Sequence, residues 1–280
     1  MARADGDAGA DRLSAKPNFE GVFGQTTNPL RLVFMMGVVW KLAQDHASDM
    51  LKVLEIGSWA GASALTWGEA IQLYFSGHGH ITCVDRWEPY VDLAANPDEL
   101  NRAMNEALVD RQPYDVFLAN MKFLPHGVGL DVRKGQSQEI LPSLEREAFD
   151  LVYIDGDHAY AAVAADIAHA IDLVRPGGIL CGDDLELQAH ACDVSIVDRQ
   201  PAVERCQDGR SGVTFHPGVT KAVGEKFGPV SSWSGFWAVR KTMAGWRNIS
   251  LAGMPARIPG HIPAPSLIGL KAVLMKDGVL

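Results

Sequence analysis

Apolar and polar positions alternate along the chain on two scales. Short apolar runs that close on glycine or an acid are each followed by a longer stretch with apolar residues at helical spacing. Leu51–Gly57 (LKVLEIG) is the first such run and His80–Asp85 (HITCVD) the second, with Gly129–Gly135, Phe149–His158 and Gly178–Asp184 after them. Helices are expected at Leu30–Ala47 (opened by Asn28-Pro29), Ala60–Phe75, the segment SQEILPSLE from Ser137, and Ala159–Val174. The turn Arg175-Pro176-Gly177-Gly178 stops the last of these. FDLVYI at the start of the fourth run has no exposed-face alternation, which predicts a strand buried on both sides. Strands alternating with helices predict an α/β fold, a doubly wound, mostly parallel sheet covered on both faces. Further on, Pro217–Phe227 reads as a helix and Ser234–Lys241 as a strand with Trp237 and Val239 on one face.

Two segments break the rhythm: about 88–125, with a helix expected around Glu99–Leu108, and about 185–215, with little periodicity. Both follow C-terminal strand ends, the edge where open α/β sheets bind ligands, so they are expected to shape an acceptor pocket. The expected organisation is a disordered lead-in over 1–17, one domain over 18–243, and a proline-rich arm over 244–280. Pro255, Pro259, Pro263 and Pro265 make that arm a candidate for packing on a second copy, so a homo-oligomer is one expected partner arrangement.

Composition narrows the function. With 25 Lys+Arg against 34 Asp+Glu the formal charge is −9, which disfavours non-specific nucleic-acid binding and docking on anionic membranes. The longest apolar run, Leu32–Trp40, is far short of the ~20 residues that span a bilayer. The polar N-terminus lacks the apolar stretch of a secretory signal, and a cytoplasmic location is expected. Cys83, Cys181, Cys192 and Cys206 form no CxxC pair and read as reduced thiols.

The most informative string is VLEIGSWAGAS, residues 53–63. Gly57 and Gly61 suit close approach of a ligand to backbone, but the GxGxxG of a dinucleotide site and the GxxxxGK[ST] of a phosphate loop are both missing. Glu55 suits a ligand with a cationic end. Asp85 closes the second strand, where a carboxylate can accept from ribose hydroxyls or else cap a turn, and Trp87 could cover a base.

A second constellation is Asp155-Gly156-Asp157-His158 after the fourth strand and Asp183-Asp184 after the fifth. Adjacent parallel strands lie about 4.8 Å apart, so these carboxylates are expected to converge and to repel unless a cation joins them. All-oxygen ligands point to a hard ion, Mg²⁺ or else Ca²⁺ or Mn²⁺. Asp157 is as well suited to capping the next helix. Tyr160 and His216 are weaker candidates for the acceptor pocket, and wall or cap roles fit them equally.

VLEIGSWAG, Val84-Asp85, KGQSQEILPSL and LVRPGGILCGDD together resemble the class I S-adenosylmethionine-dependent methyltransferases, over roughly Lys52–Asp184. The acids resemble those of metal-dependent O-methyltransferases of the catechol type and of those acting on macrolide and aminocoumarin sugars. The resemblance implies a seven-stranded Rossmann-like sheet and the cofactor S-adenosyl-L-methionine at Glu55, Gly57, Ser58, Gly61, Asp85, Arg86, Trp87, Ser137, Gln138 and Asp155. It also implies Mg²⁺ or another hard dication at Asp155, Asp183 and Asp184, and His158 as the base. The implied activity is O-methylation of a small hydroxylated acceptor, a sugar in natural-product biosynthesis favoured. The alternatives are a metal-independent small-molecule methyltransferase and a non-catalytic cofactor-binding partner subunit.

Overall fold

The protein was analysed as a computed structural model that describes residues 16–24, 29–45, 49–262 and 270. The lead-in expected to be disordered, residues 1–17, lies almost wholly outside the described residues, and so does part of the proline-rich arm.

Five strands build the parallel part of the sheet: β1 (Leu51–Ile56), β2 (Gly79–Asp85), β3 (Val128–Lys134), β4 (Phe149–Ile154) and β5 (Val174–Leu185). They lie in the order β3-β2-β1-β4-β5 and pair in parallel throughout. The helices follow the expected segments closely: α1 (Leu30–Asp45), α2 (Ala62–Tyr74), α3 (Glu99–Val109), α4 (Gln112–Asn120), α5 (Ser137–Ile140), α6 (Tyr160–Leu173), α7 (Ile196–Arg199) and α8 (Pro217–Phe227). Helices α4 and α7 have no counterpart among the segments expected to be helical. The helical segment after Ser137 tightens into a 3₁₀ turn at Leu141–Ser143, where Pro142 cannot donate to a continuing helix.

Every residue of β4 is buried, as its unbroken apolar run predicts. Leu151 and Tyr153 face the layer of α1 and α2, against Val33, Met36 and Trp67. Val152 and Ile154 face α6 and α8, against Val163, Ile167 and Val219. The apolar run Leu32–Trp40 is explained by α1 being covered twice, by the sheet and by the C-terminal segment. A Cβ at Gly37 would strike Met254, and Leu251 and Met254 are buried in the same cluster.

The sheet has eight strands where seven were expected. Three antiparallel strands complete it: β9 (Gly235–Thr242) beside β5, with β8 (Ser231–Trp233) and β10 (Gly245–Asn248) both paired to β9. The flanking strands are 3 and 4 residues long, too short for a period of two to show in the sequence. A separate ribbon, β6 (Cys206–Gln207) with β7 (Thr214–Phe215), lies in the second insertion. The two insertions are stitched together: Asn96 donates from Nδ2 to the Ala202 carbonyl at 2.6 Å and accepts at Oδ1 from the Glu204 amide at 2.8 Å. They thereby form one structure at the C-terminal edge of the sheet.

Candidate active site

A cleft opens over the C-terminal ends of β1, β2, β4 and β5, at the point where strand order reverses between β1 and β4. Gly57, Asp85, Arg86, Ser137, Gln138 and Asp155 all line it, so much of the expected cofactor set converges. Asp85 is already committed to backbone. Its Oδ2 accepts from the Ser58 and Trp59 amides, both at 2.9 Å, and its Oδ1 from the Trp87 amide at 2.7 Å. Burial raises the Asp85 pKa, against the pull of these amides. The carboxylate therefore fixes the β1–α2 loop while lining the cleft. Trp59 and Trp87 both have φ 45, a left-handed conformation that bulky side chains rarely adopt, and this hydrogen bonding holds them in it.

Gly57 has φ 87, and a Cβ there would collide with the Asp155 carbonyl. Glycine is thus required first by strand-to-strand closeness and only then by any ligand. A Cβ at Gly61 would meet Met121 and Phe117, so its constraint too is internal packing. Trp87 is buried, its ring against Tyr114 and Phe117 at 4.7 and 4.9 Å, with Nε1 donating to the Trp59 carbonyl. It supports the loop from behind, while Trp59 lines the cleft. Ser58 is likewise buried, and Tyr160 faces away, its hydroxyl donating to Glu225 at 2.6 Å.

Glu55 is fully buried beneath the loop and is not among the cleft-lining residues. Burial pushes its carboxyl up to about 7, against the pull of Ser58, Ser63 and Trp67. Below the unfolded carboxyl pKa both states are protonated. As pH rises toward 7 the unfolded chain loses its proton first, so stability falls by about 3 kcal/mol and then levels off. Urea unfolding at pH 5 and pH 8 should show Glu55→Gln losing most of this decline, since a neutral amide carries no ionisation penalty.

The second constellation is denser than the sequence suggested. Asp155, Asp183 and Asp184 line one cleft, but their carboxylate oxygens do not form a set within 4.8 Å of one another as expected; Asp155 turns to Tyr153, which donates to its Oδ2 at 2.9 Å, and Asp184 turns to His158 and His216. Burial and the neighbouring Asp183 and Asp184 hold Asp155 well above the usual carboxyl range, and burial with Asp184 pushes Asp183 up to about 7. Asp184 has φ 61, a conformation aspartate tolerates better than most residues. This turns its carboxylate to three basic side chains. Its Oδ1 lies 2.6 Å from Arg31 Nη1 and 3.7 Å from His216 Nδ1, and its Oδ2 lies 2.9 Å from His158 Nε2. Burial opposes ionisation of Asp184, but His216, His158 and Arg31 outweigh it and hold it well below the usual range.

His158 stands between two carboxylates, with Glu204 Oε2 2.7 Å from its Nδ1. Burial disfavours the imidazolium, yet Asp184 and Glu204 together raise the pKa of His158 well above its ordinary value. Asp157 caps the following turn by accepting from the Ala159 amide at 2.8 Å. His216 packs on His158 at 4.6 Å between ring centroids and meets Glu186 at 3.2 Å.

Three members of the site were missed in the sequence. Arg31 reaches in from the first turn of α1 to Asp183, Asp184 and Glu186 at 2.9, 2.6 and 2.7 Å. A lone cation at the head of an otherwise apolar helix, at the end where the dipole disfavours it, was the available signal. Glu204 and Tyr90 come from the two insertions, where no periodicity marks them. Tyr90 lines the cleft, and burial pushes its hydroxyl further above its ordinary pKa.

The methyltransferase-domain family matches residues 54–185, the span from β1 to the end of β5. Residues 54–185 are thus similar to a methyltransferase domain. A curated protein of Mycobacterium sp. (strain JLS), named "Putative O-methyltransferase", is 30% identical over 100 residues, 35% of this chain and 44% of that protein. The alignment thus spans less than half of the relative's length. Among solved structures, the O-methyltransferase NovP shares the fold with TM-score 0.50 and 14% identity, covering 76% of this chain and 79% of that one. An O-methyltransferase from Bacillus cereus, solved with SAH, aligns at 18% identity and TM-score 0.43, covering 78% and 84%. The matched span carries both constellations, with Arg31, Glu204 and His216 added from outside it. Among the described residues no helix is long and apolar enough to cross a membrane.

Proposed function

We propose that this chain is an S-adenosylmethionine-dependent O-methyltransferase that methylates a hydroxyl of a small polyhydroxylated acceptor with the help of a hard divalent cation. The observation that carries the reading is His158, flanked by Glu204 and Asp184, at the rim of a cleft that also holds Asp155 and Asp183. The donor set suits a hard ion: Asp183 and Asp184 share one fixed cation, Arg31, and Asp183 Oδ1 touches it without a directed hydrogen bond. Asp155, Asp183 and Asp184 would hold the ion, and Gly57, Ser137 and Gln138 would hold the cofactor. When bound, the cofactor supplies an electrophilic methyl group and the ion acidifies an acceptor hydroxyl.

The chain's own residues supply the rest. Glu204 fixes the tautomer of His158 by taking its Nδ1 proton in a hydrogen bond, which leaves Nε2 as the nitrogen that exchanges the acceptor proton. Because Asp184 and Glu204 raise its pKa, His158 must first part from Asp184 and release its Nε2 proton before it can act as a base, and Arg31 keeps Asp184 compensated when it does. The acidic wall, with Glu88 and Asp157 beside the cluster, disfavours an anionic acceptor and suits a neutral polyol. The Asp-Gly-Asp-His pattern resembles the sugar-modifying branch, so a sugar of a natural product or glycoconjugate is the favoured acceptor.

Arg31 also favours a second reading, in which its guanidinium neutralises the acids and no metal is needed. Incubation of the purified chain with methyl-labelled cofactor and a panel of glycosides, with and without chelator, separates the two. The first reading expects labelling that chelator abolishes and Mg²⁺ restores. Full labelling in excess chelator would establish the second, and no labelling of any hydroxylated acceptor counts against both.

A further inference from the structure

We propose that His158, Asp184 and His216 form a second cation site, selective for a borderline transition ion such as Zn²⁺, which shares Asp184 with the acid cluster and silences the base when filled. One donor atom from each of the three residues lies within 4.8 Å of the other two. Two donors bound to Zn²⁺ at about 2.1 Å in tetrahedral geometry stand about 3.4 Å apart. His158 Nε2 and Asp184 Oδ2, at 2.9 Å, need only a small separation to admit an ion between them.

The surroundings match what such a site requires. A metal-binding histidine almost always gives its other ring nitrogen to a carboxylate, which fixes the tautomer and raises ligand basicity. Glu204 does this for His158 at 2.7 Å, and its side chain is only 6% exposed. Glu186, 3.2 Å from His216 Nδ1, is within reach as a fourth donor. Arg31 engages Asp184 through Oδ1 and leaves Oδ2 to the His158 side.

Ligand type separates the two sites. Asp155 and Asp183 offer oxygen alone and suit hard ions, whereas two imidazoles with a carboxylate suit Zn²⁺, Co²⁺ or Ni²⁺. The backbone around the imidazoles is held closely: a Cβ at Gly218, the second residue of α8, would collide with the His158 carbonyl. The entry to α8, which carries His216, is thereby fixed against the loop that carries His158. Binding at this site is independent of the proposed function. The inhibitory consequence rests on it, because an ion on Nε2 removes the lone pair that takes the acceptor proton.

The test titrates the full chain with Co²⁺ in excess Mg²⁺ and reads the visible spectrum. The expected result is one equivalent bound, with the intense bands of low-coordinate Co²⁺ carrying nitrogen ligands, displaced by Zn²⁺ and not by Mg²⁺. His216→Gln should weaken binding more than tenfold, and Glu204→Gln about 10–100-fold through loss of the orienting carboxylate. Only weak octahedral bands that Mg²⁺ removes, or unchanged affinity in folded His216→Gln, would overturn the site. Should His216→Gln not fold, the wild-type spectrum and Glu204→Gln decide. Zn²⁺ inhibition of methyl transfer checks the consequence separately, so an inactive chain that still binds Co²⁺ this way would sink the proposed function and not the site.

Discussion

His158→Ala is expected to lower methyl transfer by about 10²–10⁴-fold while cofactor affinity changes little. That range is what a positioned general base contributes. Among the described residues that line the cleft, His158 combines a titratable nitrogen, a carboxylate to fix its tautomer and a place beside Asp184. It stands on the loop between β4 and α6, whereas the backbone that shapes the cofactor side is held by Asp85 through three amides. The loss should therefore appear in kcat and not in calorimetric binding of S-adenosylmethionine. A milder pattern is expected for Glu204→Gln, which leaves the imidazole in place but relaxes its orientation and lowers its proton affinity. A fall in cofactor affinity as large as the fall in kcat would mean that His158 shapes the pocket and does not move a proton. His158→Ala also leaves Asp184 with one partner fewer, so melting curves should accompany the kinetics.

The sequence and the folded chain agree best where one physical rule dominates. An unbroken apolar run is enough to specify β4, because a strand buried on both faces has no polar positions to alternate with. The helix boundaries of α6 and α8 were legible because an Ala-rich stretch and a proline at the first turn mark them. Asp155, Asp183 and Asp184 could be placed along one cleft because parallel strand ends meet at one edge, but not their individual partners, which come from α1 and the second insertion. The rest depended on long-range contacts that leave no local trace. Glu204 reaches His158 across 46 positions of sequence through an insertion without periodicity. Trp87, expected over a base, is pulled under the loop because its indole N–H finds the Trp59 carbonyl and its ring finds Tyr114 and Phe117. The glycines of the first motif were legible as necessary, but the neighbour that excludes a side chain at Gly57 is Asp155, not a ligand.

Arg31→Met should cost the metal-free protein about 3–5 kcal/mol, the usual price of removing one partner from a buried ion pair. The guanidinium is 12% exposed and compensates three carboxylates at once, two of which, Asp183 and Asp184, are themselves largely buried. Burial opposes its charge, yet those carboxylates hold it firmly protonated at every accessible pH. Its Nε also donates to the Ser234 carbonyl at 2.9 Å, and Gly235, with φ 95, leaves the space its side chain fills. Methionine conserves the apolar stem but removes the guanidinium with its charge and hydrogen bonds, so the loss combines electrostatics with the space vacated beside Gly235. The same substitution should make stability depend on divalent cation. Without Arg31 the acids repel one another and a hard ion becomes the remaining way to neutralise them, so Mg²⁺ should raise the melting temperature of the variant more than that of the wild type. If Mg²⁺ stabilises both equally, Arg31 and the ion do not share these acids. If it stabilises neither, Asp155, Asp183 and Asp184 are balanced within the protein, and the metal-independent reading gains the stronger claim.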